Sequence, residues 1–422
     1  MAKKPINKKL IISLTSAGGA LEMYDFVIYI FFAGVIAKSF FPLESHYASM
    51  LSTFAVFATG YLFRPIGGLI FGHMGDRYGR QKGLVLTIIL MGISIVGMAL
   101  MPTYHQIGLA APILFCFFRS LQGIALGGDL PGGITFINEY ADIHERGLLT
   151  GVFFLCINIG LLLASVVGAL CVNLLSPEQV MSWGWRAAFL AGILLFFVGY
   201  YLRSKRIETP IFQKLLYDRE SDHTPLKSLF KKHKLNLLRG ISMMALHGII
   251  VVQLFLFMPI FLHDSFSIEM GEAINMNTIS LLLFSLCIPL VGWLSDRVGR
   301  NYLLKGVAAA TLMLTFPLYD LIAWGYPWVA LIGFAIIATF AVGTIPATLP
   351  ELFPTAVRNS GIGVAYNVGF GVFGGLSPMI ATYLIHYFGN PMAVGIDLAV
   401  AALVMLLFLF SAPLQKNHSL WE

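Results

Sequence analysis

Long apolar runs separated by short polar segments make up most of the sequence. A helix needs about 20 predominantly apolar residues to cross a bilayer, and these runs are of that length or longer. The pattern therefore predicts an all-α membrane protein with twelve transmembrane helices. We place them near residues 10–38, 47–74, 82–102, 107–133, 146–174 and 184–203, and then near 237–263, 274–296, 301–323, 327–351, 356–387 and 391–412.

One long polar segment, from Arg203 to Arg239, divides the predicted helices into six plus six. We therefore expect an N-terminal six-helix bundle over 1–203, a linker over 204–236 and a C-terminal six-helix bundle over 237–422. The lysines and arginines of the linker are typical of a solvated segment, and contact with anionic lipid headgroups is the alternative.

The composition excludes an ordinary soluble domain. Hydrophobic residues make up 58% of the chain and charged residues 11%, whereas soluble domains carry about 25% charged residues. The net charge is +6, but all except four of the 27 lysines and arginines fall at the termini, in the linker or in one set of alternate loops. Because basic loops stay in the cytoplasm, the charge indicates topology rather than nucleic-acid binding. We expect a multi-pass protein of a bacterial-type inner membrane, embedded in the lipid bilayer, with both termini cytoplasmic.

No pattern in the sequence predicts catalytic residues, a cofactor or a metal site. The four cysteines lie in apolar runs without ligand spacing, so we interpret them as packing residues. The motifs H-E-x-x-H and G-x-x-x-x-G-K-[ST] are absent from the sequence, which argues against an intramembrane metalloenzyme and a nucleotide loop. The basic N-terminus and first apolar run resemble a signal peptide, but the run is too long and contains Glu22 and Asp25. We interpret it as the first membrane helix.

The two halves of the sequence repeat one another. The segment 72–80 follows the second predicted helix, and the similar segment 292–300 follows the eighth, 220 residues later. Likewise a glutamate precedes an arginine by seven residues after the fourth helix and again after the tenth. These pairs predict a duplicated six-helix unit, as in transporters built from parallel repeats.

Acids and bases at matching depths in both halves can form salt bridges between the halves at their cytoplasmic ends. Such bridges would hold one conformation and break in another, and glycines nearby would let the helices approach closely. We expect Asp129 to pair with loop arginines at this end rather than with a substrate. The predicted gating residues are Asp76, Arg77, Arg80, Asp129, Glu139, Arg146, Asp296, Arg297, Arg300, Glu351 and Arg358.

The first predicted helix carries two carboxylates inside its apolar run. An ionised Asp at the centre of a membrane helix costs roughly 2.5–3.5 kcal/mol, so it must be paired, protonated or facing water. Glu22, Asp25 and Tyr29 follow an i, i+3, i+7 spacing, which predicts that they share one helix face. We interpret this face as the wall of a polar cavity.

Several motifs resemble those of one transporter superfamily. The G-x-x-x-D-R-x-G-R segments at 72–80 and 292–300 and the R-x-x-Q-G segment at 119–123 are similar to signatures of the major facilitator superfamily. Further segments are similar to the metabolite–proton symporter family, whose carriers take α-ketoglutarate, citrate, shikimate, or proline and betaine. These segments are 22–26, 63–73, 127–129 and 208–212. The resemblance implies two pseudo-symmetric six-helix bundles that work by alternating access. Asp129 departs from the family pattern, where a glutamate is usual.

Asp25 and Arg119 lie at similar depths in the first and fourth predicted helices. A buried carboxylate balanced between desolvation and a nearby cation can switch its protonation state. In similar proton-coupled facilitators an acid and an arginine in these helices form such a pair. We therefore predict Asp25 as the proton acceptor and Arg119 as its modulator; a permanent ion pair that only fastens the two helices is the alternative.

The remaining mid-membrane polar residues are candidates for substrate binding. Arg64 can bind a substrate carboxylate bidentately or neutralise Glu22, and the four charges of the N-terminal half sum to zero. His247 and Gln253 cannot share one helix face, so we expect only one of them to reach the cavity. The candidate substrate-binding residues are Glu22, Tyr29, Tyr61, Arg64, Gln122, Asn158, His247, Gln253, Tyr366 and Asn367.

These observations predict a monomeric, proton-coupled symporter that imports a small polar organic solute, an organic acid or a zwitterion. The fifth predicted helix lacks the Gly-Pro pair typical of drug–proton antiporters, which favours uptake. The alternatives are a uniporter, an exporter of a larger metabolite, and a transporter-like sensor without flux.

Overall fold

The computed structural model describes residues 8–42, 56, 59–203, 208–217 and 224–411. The described residues form helices and no strands, in line with the predicted all-α class. The second predicted helix begins at residue 47, which lies outside the described residues. The membrane helices, α1 to α12 in chain order, are Lys8–Phe31 with Ala33–Phe40, Arg64–Tyr78, Arg80–Leu100, Ala110–Tyr140, Arg146–Leu174, Trp185–Arg203, Lys234–Phe266, Met270–Val298, Arg300–Ala323, Pro327–Leu352, Thr355–Phe388 and Pro391–Ser411.

Within the described ranges, nine helices are long and apolar enough to span a membrane, and α1 adds a tenth although its two segments meet at 64°. Several helices extend beyond the predicted apolar runs. For example, α4 continues to Tyr140, past the predicted end at residue 133. Two short linker helices, Pro210–Tyr217 and Pro225–Lys232, lie between α6 and α7.

Matching glycines end α2 and α8. Gly79 and Gly299 have φ angles of 116° and 99°, a region that glycine adopts readily and other residues avoid. Each glycine turns the chain directly into the next helix, at Arg80 and at Arg300. The loops that carry the two repeated motifs therefore have the same backbone form.

The most extensive contacts between the halves are those of α2 with α11 and of α5 with α8. The contact is close because small residues face each other. A Cβ added to Gly147 would lie 2.2 Å from the carbonyl oxygen of Gly292. Glycines of this kind allow membrane helices to approach to backbone contact.

The C-terminal half contains two irregular helices. A π-helical turn interrupts α7 at Gln253–Phe257, and a longer one interrupts α11 at Asn367–Gly374. π-helical turns occur frequently at functional sites because they redirect side chains. Both turns lie beside the cavity described next.

Candidate functional site

A cavity of about 110 Å³ lies between the two halves. Its walls come from α1, α2, α4 and α5 on one side and from α7, α8 and α11 on the other. Most lining side chains are apolar or aromatic. Four of the predicted substrate-binding residues line it, namely Tyr61, Arg64, Asn158 and Tyr366.

Arg64 is the one charged residue among the described residues of the cavity lining, and it is only 2% exposed. Its guanidinium carbon lies 5.6, 5.5 and 5.2 Å from the ring centres of Tyr61, Tyr366 and Phe370. Its Nε donates a hydrogen bond of 3.3 Å to Asn367 Oδ1. Nη2 is buried and has no hydrogen-bond partner in the part of the chain that the structure describes.

Of the two alternatives for Arg64, neutralisation of Glu22 is not seen in this structure. Glu22 is buried, but it does not line the cavity. No ion pair within the described ranges joins its carboxylate to Arg64. The Arg64 guanidinium is directed towards α11 instead, where it lies over the Tyr366 ring and donates a hydrogen bond to Asn367.

The structure also separates the side chains of Asp25 and Arg119. Arg119 Nη1 donates to the Phe26 carbonyl at 3.1 Å and to Gln122 Oε1, while Gln122 Nε2 donates to the backbone carbonyl of Asp25 at 3.1 Å. The Arg119 guanidinium lies over the rings of Phe26 and Tyr29 at 4.1 and 4.7 Å. Arg119 therefore contacts the backbone and aromatic rings of α1.

The Asp25 carboxyl points to α6. A Cβ added to Gly192 would lie 2.0 Å from Asp25 Oδ1. That oxygen is buried and lacks a hydrogen-bond partner among the described residues. The neighbouring Tyr24 hydroxyl also contacts α6, donating to the Ala188 carbonyl at 2.8 Å. Asp25 therefore contacts α6, whereas Tyr29, on the same side of α1, lies against Phe115 and Arg119 of α4; neither residue lines the cavity.

In the C-terminal half, neither His247 nor Gln253 lines this cavity. His247 is packed between Phe154 and Phe370, with ring centres 5.7 and 5.5 Å away. The expectation that one of the pair reaches the cavity is not met here. Two asparagine candidates form hydrogen bonds between the halves. Asn158 on α5 donates to Ser285 on α8 at 2.9 Å, and Asn367 on α11 donates to the Gly127 carbonyl on α4 at 2.7 Å.

Gln253 belongs to a buried polar cluster that the sequence reasoning missed. Its Nε2 donates to Asp397 Oδ1 at 2.6 Å, and Ser377 donates to Asp397 Oδ2 at 2.8 Å. Tyr319 donates to Gln253 Oε1 at 3.4 Å. The sequence does contain a signal for this cluster, because Asp397 is an acid inside the apolar run 391–412.

At the end of the bundle that carries the linker, called here the linker end, charged residues connect the halves. The first charged cluster consists of Asp76, Arg80, Glu139 and Arg358. Glu139 pairs with Arg80 at 3.1 Å and with Arg358 of the other half at 3.0 Å. Asp76 accepts hydrogen bonds of 3.0 and 2.7 Å from the backbone N–H groups of 359 and 360, at the start of α11. An anion at a helix N-terminus is favoured by the helix dipole.

The second charged cluster, Arg146, Asp296, Arg300 and Glu351, has the matching arrangement. Asp296 accepts hydrogen bonds of 2.8 and 3.0 Å from the N–H groups of 147 and 148, at the start of α5. Arg300 pairs with Asp296 at 2.7 Å and with Glu351, and Arg146 lies 3.7 Å from Glu351. The two clusters hold α2 to α11 and α5 to α8.

Three predicted gating residues lie outside the clusters. Arg77 and Arg297 are exposed, and each stacks on an aromatic ring of its own helix, Tyr78 at 5.2 Å and Trp293 at 4.1 Å. Asp129 is fully buried within the N-terminal half, where Thr87 donates to it at 3.1 Å. The motif places Arg77 and Arg297 one residue beyond the helix face that contacts the other half.

The linker contributes two further residues that the sequence reasoning did not assign. Glu208 accepts hydrogen bonds from the N–H groups of Arg80 and Gln81 at 3.2 and 3.3 Å, at the start of α3. Thr209 donates to Glu139 at 2.6 Å. Burial raises the pKa of Glu208 above its usual value. In the sequence, the segment 208–212 indicated only a resemblance to the symporter family. The position of Glu208, shortly after a membrane helix, was the signal that could have identified it.

Across the described residues, no group of three His, Cys, Asp or Glu side chains is placed to hold a metal ion. The site therefore consists of one buried guanidinium in an apolar cavity, a buried carboxyl on α1 and two charged clusters at the linker end.

Comparisons with known proteins agree with this architecture. The chain is 33% identical over 410 residues to a proline/betaine transporter of Salmonella typhimurium, covering 94% of this chain and 81% of that protein. It is 31% identical over 400 residues to a citrate-proton symporter of Klebsiella pneumoniae, covering 93% and 89%. It is 34% identical over 426 residues to the inner membrane metabolite transport protein YhjE of Escherichia coli, covering 98% and 96%.

A solved structure of the proton:xylose symporter XylE has the same fold, with a TM-score of 0.83, 20% identity and 98% coverage of both chains. This agreement confirms the predicted fold of two six-helix bundles. The sequence model of the Major Facilitator Superfamily matches residues 15–368 of the chain. The chain therefore belongs to the Major Facilitator Superfamily.

Proposed function

We propose that this protein imports a small organic carboxylate or zwitterion together with a proton, by alternating access across a bacterial inner membrane. The observation that carries the proposal is Arg64, a buried guanidinium that lines the cavity between the halves and forms no ion pair with a described residue. A buried charge is costly unless it is paired, and a substrate carboxylate can pair with it. The names of the relatives, a proline/betaine transporter and a citrate-proton symporter, support this class of solute.

Asp25 is the proposed proton carrier. Its carboxyl is buried, faces α6, and has an oxygen without a hydrogen-bond partner in the described chain. An unpaired carboxylate in such a place is strongly disfavoured, so this conformation suits the protonated acid. We assign the ion pair with Arg119 to the deprotonated state. While Asp25 is protonated, the Phe26 carbonyl and Gln122 hold the Arg119 guanidinium.

The two charged clusters are the proposed gate. They join the halves at the linker end, which we assign to the cytoplasm because basic loops stay inside. In the outward-facing part of the cycle, proton and solute enter from the opposite side. The clusters then part, the bundles 1–203 and 237–422 rock about the cavity, and Asp25 releases its proton to the cytoplasm. The linker 204–236 and both termini stay cytoplasmic, and a single chain contains the whole pathway.

Transport by purified protein in liposomes tests this function. With an acidic exterior, wild-type protein should accumulate a radiolabelled carboxylate or zwitterion above its external concentration. Asp25→Asn should lose this accumulation but retain exchange of solute across the membrane. Asp264→Asn, which removes an exposed carboxylate from the same protein, is the matched control. Accumulation by Asp25→Asn at the wild-type level would contradict the coupling role. Solute flux by wild-type protein that does not depend on the pH gradient would indicate a uniporter.

A further inference from the structure

We infer that the transported solute is a monocarboxylate whose remaining body is apolar and uncharged. The inference rests on the proposed function and narrows its substrate class. It follows from the number of charges in the cavity wall, from the polarity of that wall, and from the aromatic faces that guanidinium groups already occupy.

Among the described residues, the cavity wall contains one cation, Arg64, and no acid. Of the four charged residues expected around the cavity, only Arg64 lines it, whereas Glu22, Asp25 and Arg119 do not. One guanidinium matches one carboxylate through two parallel hydrogen bonds. A second carboxylate on the solute would enter the buried site without a cation, which is costly. Dicarboxylates and tricarboxylates therefore fit poorly.

The rest of the wall favours an apolar body. Aromatic residues line it in three contacting pairs, Phe26–Tyr61, Phe255–Phe284 and Tyr366–Phe370, with ring centres 5.2, 4.7 and 5.5 Å apart. Asn158, the amide of the lining, already donates to Ser285. A solute with several hydroxyl groups would lose hydrogen bonds to water and regain few here.

Four of the six aromatic rings that line the cavity already lie under a guanidinium, which makes them unsuited to a cationic solute group. A quaternary ammonium is recognised by open aromatic faces within about 6 Å. Arg64 lies over Tyr61, Tyr366 and Phe370, and Arg119 lies over Phe26. A second cation would also be repelled by Arg64 at short range. A zwitterion is thus disfavoured relative to a monocarboxylate of the same shape whose body is uncharged.

The cavity volume indicates the size of solute that fits in this conformation. A water molecule needs about 10–15 Å³ by this measure, so the 110 Å³ cavity accommodates on the order of ten non-hydrogen atoms. An acid with a branched aliphatic or single-ring body has this size.

A pair of nearly isosteric ligands tests the inference. Glycine betaine and 3,3-dimethylbutyrate share one shape and one carboxylate, and they differ in whether the quaternary atom is a charged nitrogen or a neutral carbon. Calorimetric titration of purified wild-type protein should show 3,3-dimethylbutyrate binding at least about tenfold more tightly, and succinate and citrate binding more weakly than either. Betaine, succinate or citrate binding as tightly as 3,3-dimethylbutyrate would overturn the inference.

Variants and flux complete the test. Arg64→Gln should abolish binding of 3,3-dimethylbutyrate, while Lys38→Gln, at an exposed cation of α1, should leave it unchanged. The comparison of ligands on wild type stands even if Arg64→Gln does not fold. Failure of the two proposals is distinguishable. Proton-coupled uptake of betaine with tighter betaine binding refutes the substrate class alone. Tight binding of 3,3-dimethylbutyrate without any proton-coupled flux refutes symport alone.

Discussion

Replacing Glu139 by glutamine should shift the protein towards the conformation open at the linker end. Glu139 is 2% exposed and pairs with Arg80 of its own half and with Arg358 of the other half. The pair with Arg80 can persist when the halves separate, whereas the 3.0 Å contact with Arg358 exists only when they are together. The contact across the interface therefore sets the effect on the conformational equilibrium.

The structure gives the size of this shift. A hydrogen bond to a charged group contributes about 1.5–3 kcal/mol, and each 1.4 kcal/mol is a factor of about ten in an equilibrium constant. Loss of the Glu139–Arg358 contact should thus favour the open form by roughly tenfold to a hundredfold. Loss of the carboxylate also leaves Arg358 with its carbonyl contacts to residues 350 and 353, which keep it in place.

Distance measurements between spin labels can detect this change. Lys82 and Tyr302 are exposed, begin α3 and α9, and occupy equivalent positions in the two repeats. Labels at these positions, after replacement of the native cysteines, should show a longer distance in Glu139→Gln than in wild type. Glu272→Gln removes an exposed carboxylate at the start of α8 and serves as the control. An unchanged distance distribution in folded Glu139→Gln protein would refute the assignment of the first charged cluster as a gate.

Three further predictions concern single sites. Gly147→Leu should reduce transport at least about tenfold, because its side chain would meet the Gly292 carbonyl; Gly306→Leu, in open space on α9, should transport normally, and equal rates would contradict the close contact. The raised pKa of Glu208 means that its folded form binds protons more readily, so its contribution to stability should be largest in acid and fall as the pH rises through that pKa. Melting temperatures of wild type and Glu208→Gln across pH check this, and a difference that grows with pH would disprove it. Asp397→Ala should destabilise the protein by about 1–3 kcal/mol, because Gln253 and Ser377 lose their buried acceptor; a melting temperature equal to that of wild type would contradict it.

The charged clusters illustrate what sequence can predict. The 220-residue repeat predicts that Asp76 and Asp296 occupy equivalent positions. In the structure, each accepts hydrogen bonds from the backbone N–H groups at the start of a helix of the other half. Repetition of a motif requires repetition of its backbone, which is why the loops at Gly79 and Gly299 agree. The ion pairs follow, because acids and bases on facing ends of packed helices lie within reach of one another.

The direction of single side chains was harder to predict. An i, i+3, i+7 spacing identifies a broad stripe of a helix, but the rotation of the helix about its axis is set by its neighbours. Asp25 lies at the edge of that stripe and faces α6, where Gly192 leaves room for it. Gln253 lies in a π-helical turn, whose altered spacing directs it to Asp397. The contacts of Glu208 depend on how the linker folds back onto α3, which local sequence patterns do not encode.

In the proposed mechanism, solute and proton bind together, with Asp25 as the proton site. Calorimetric titration of the solute in buffers of different ionisation enthalpy measures the protons taken up on binding. At a pH at which Asp25 is deprotonated in the solute-free protein, wild type should take up a proton with each solute molecule, and Asp25→Asn should bind the solute without proton uptake. Equal proton uptake by wild type and Asp25→Asn would contradict the account.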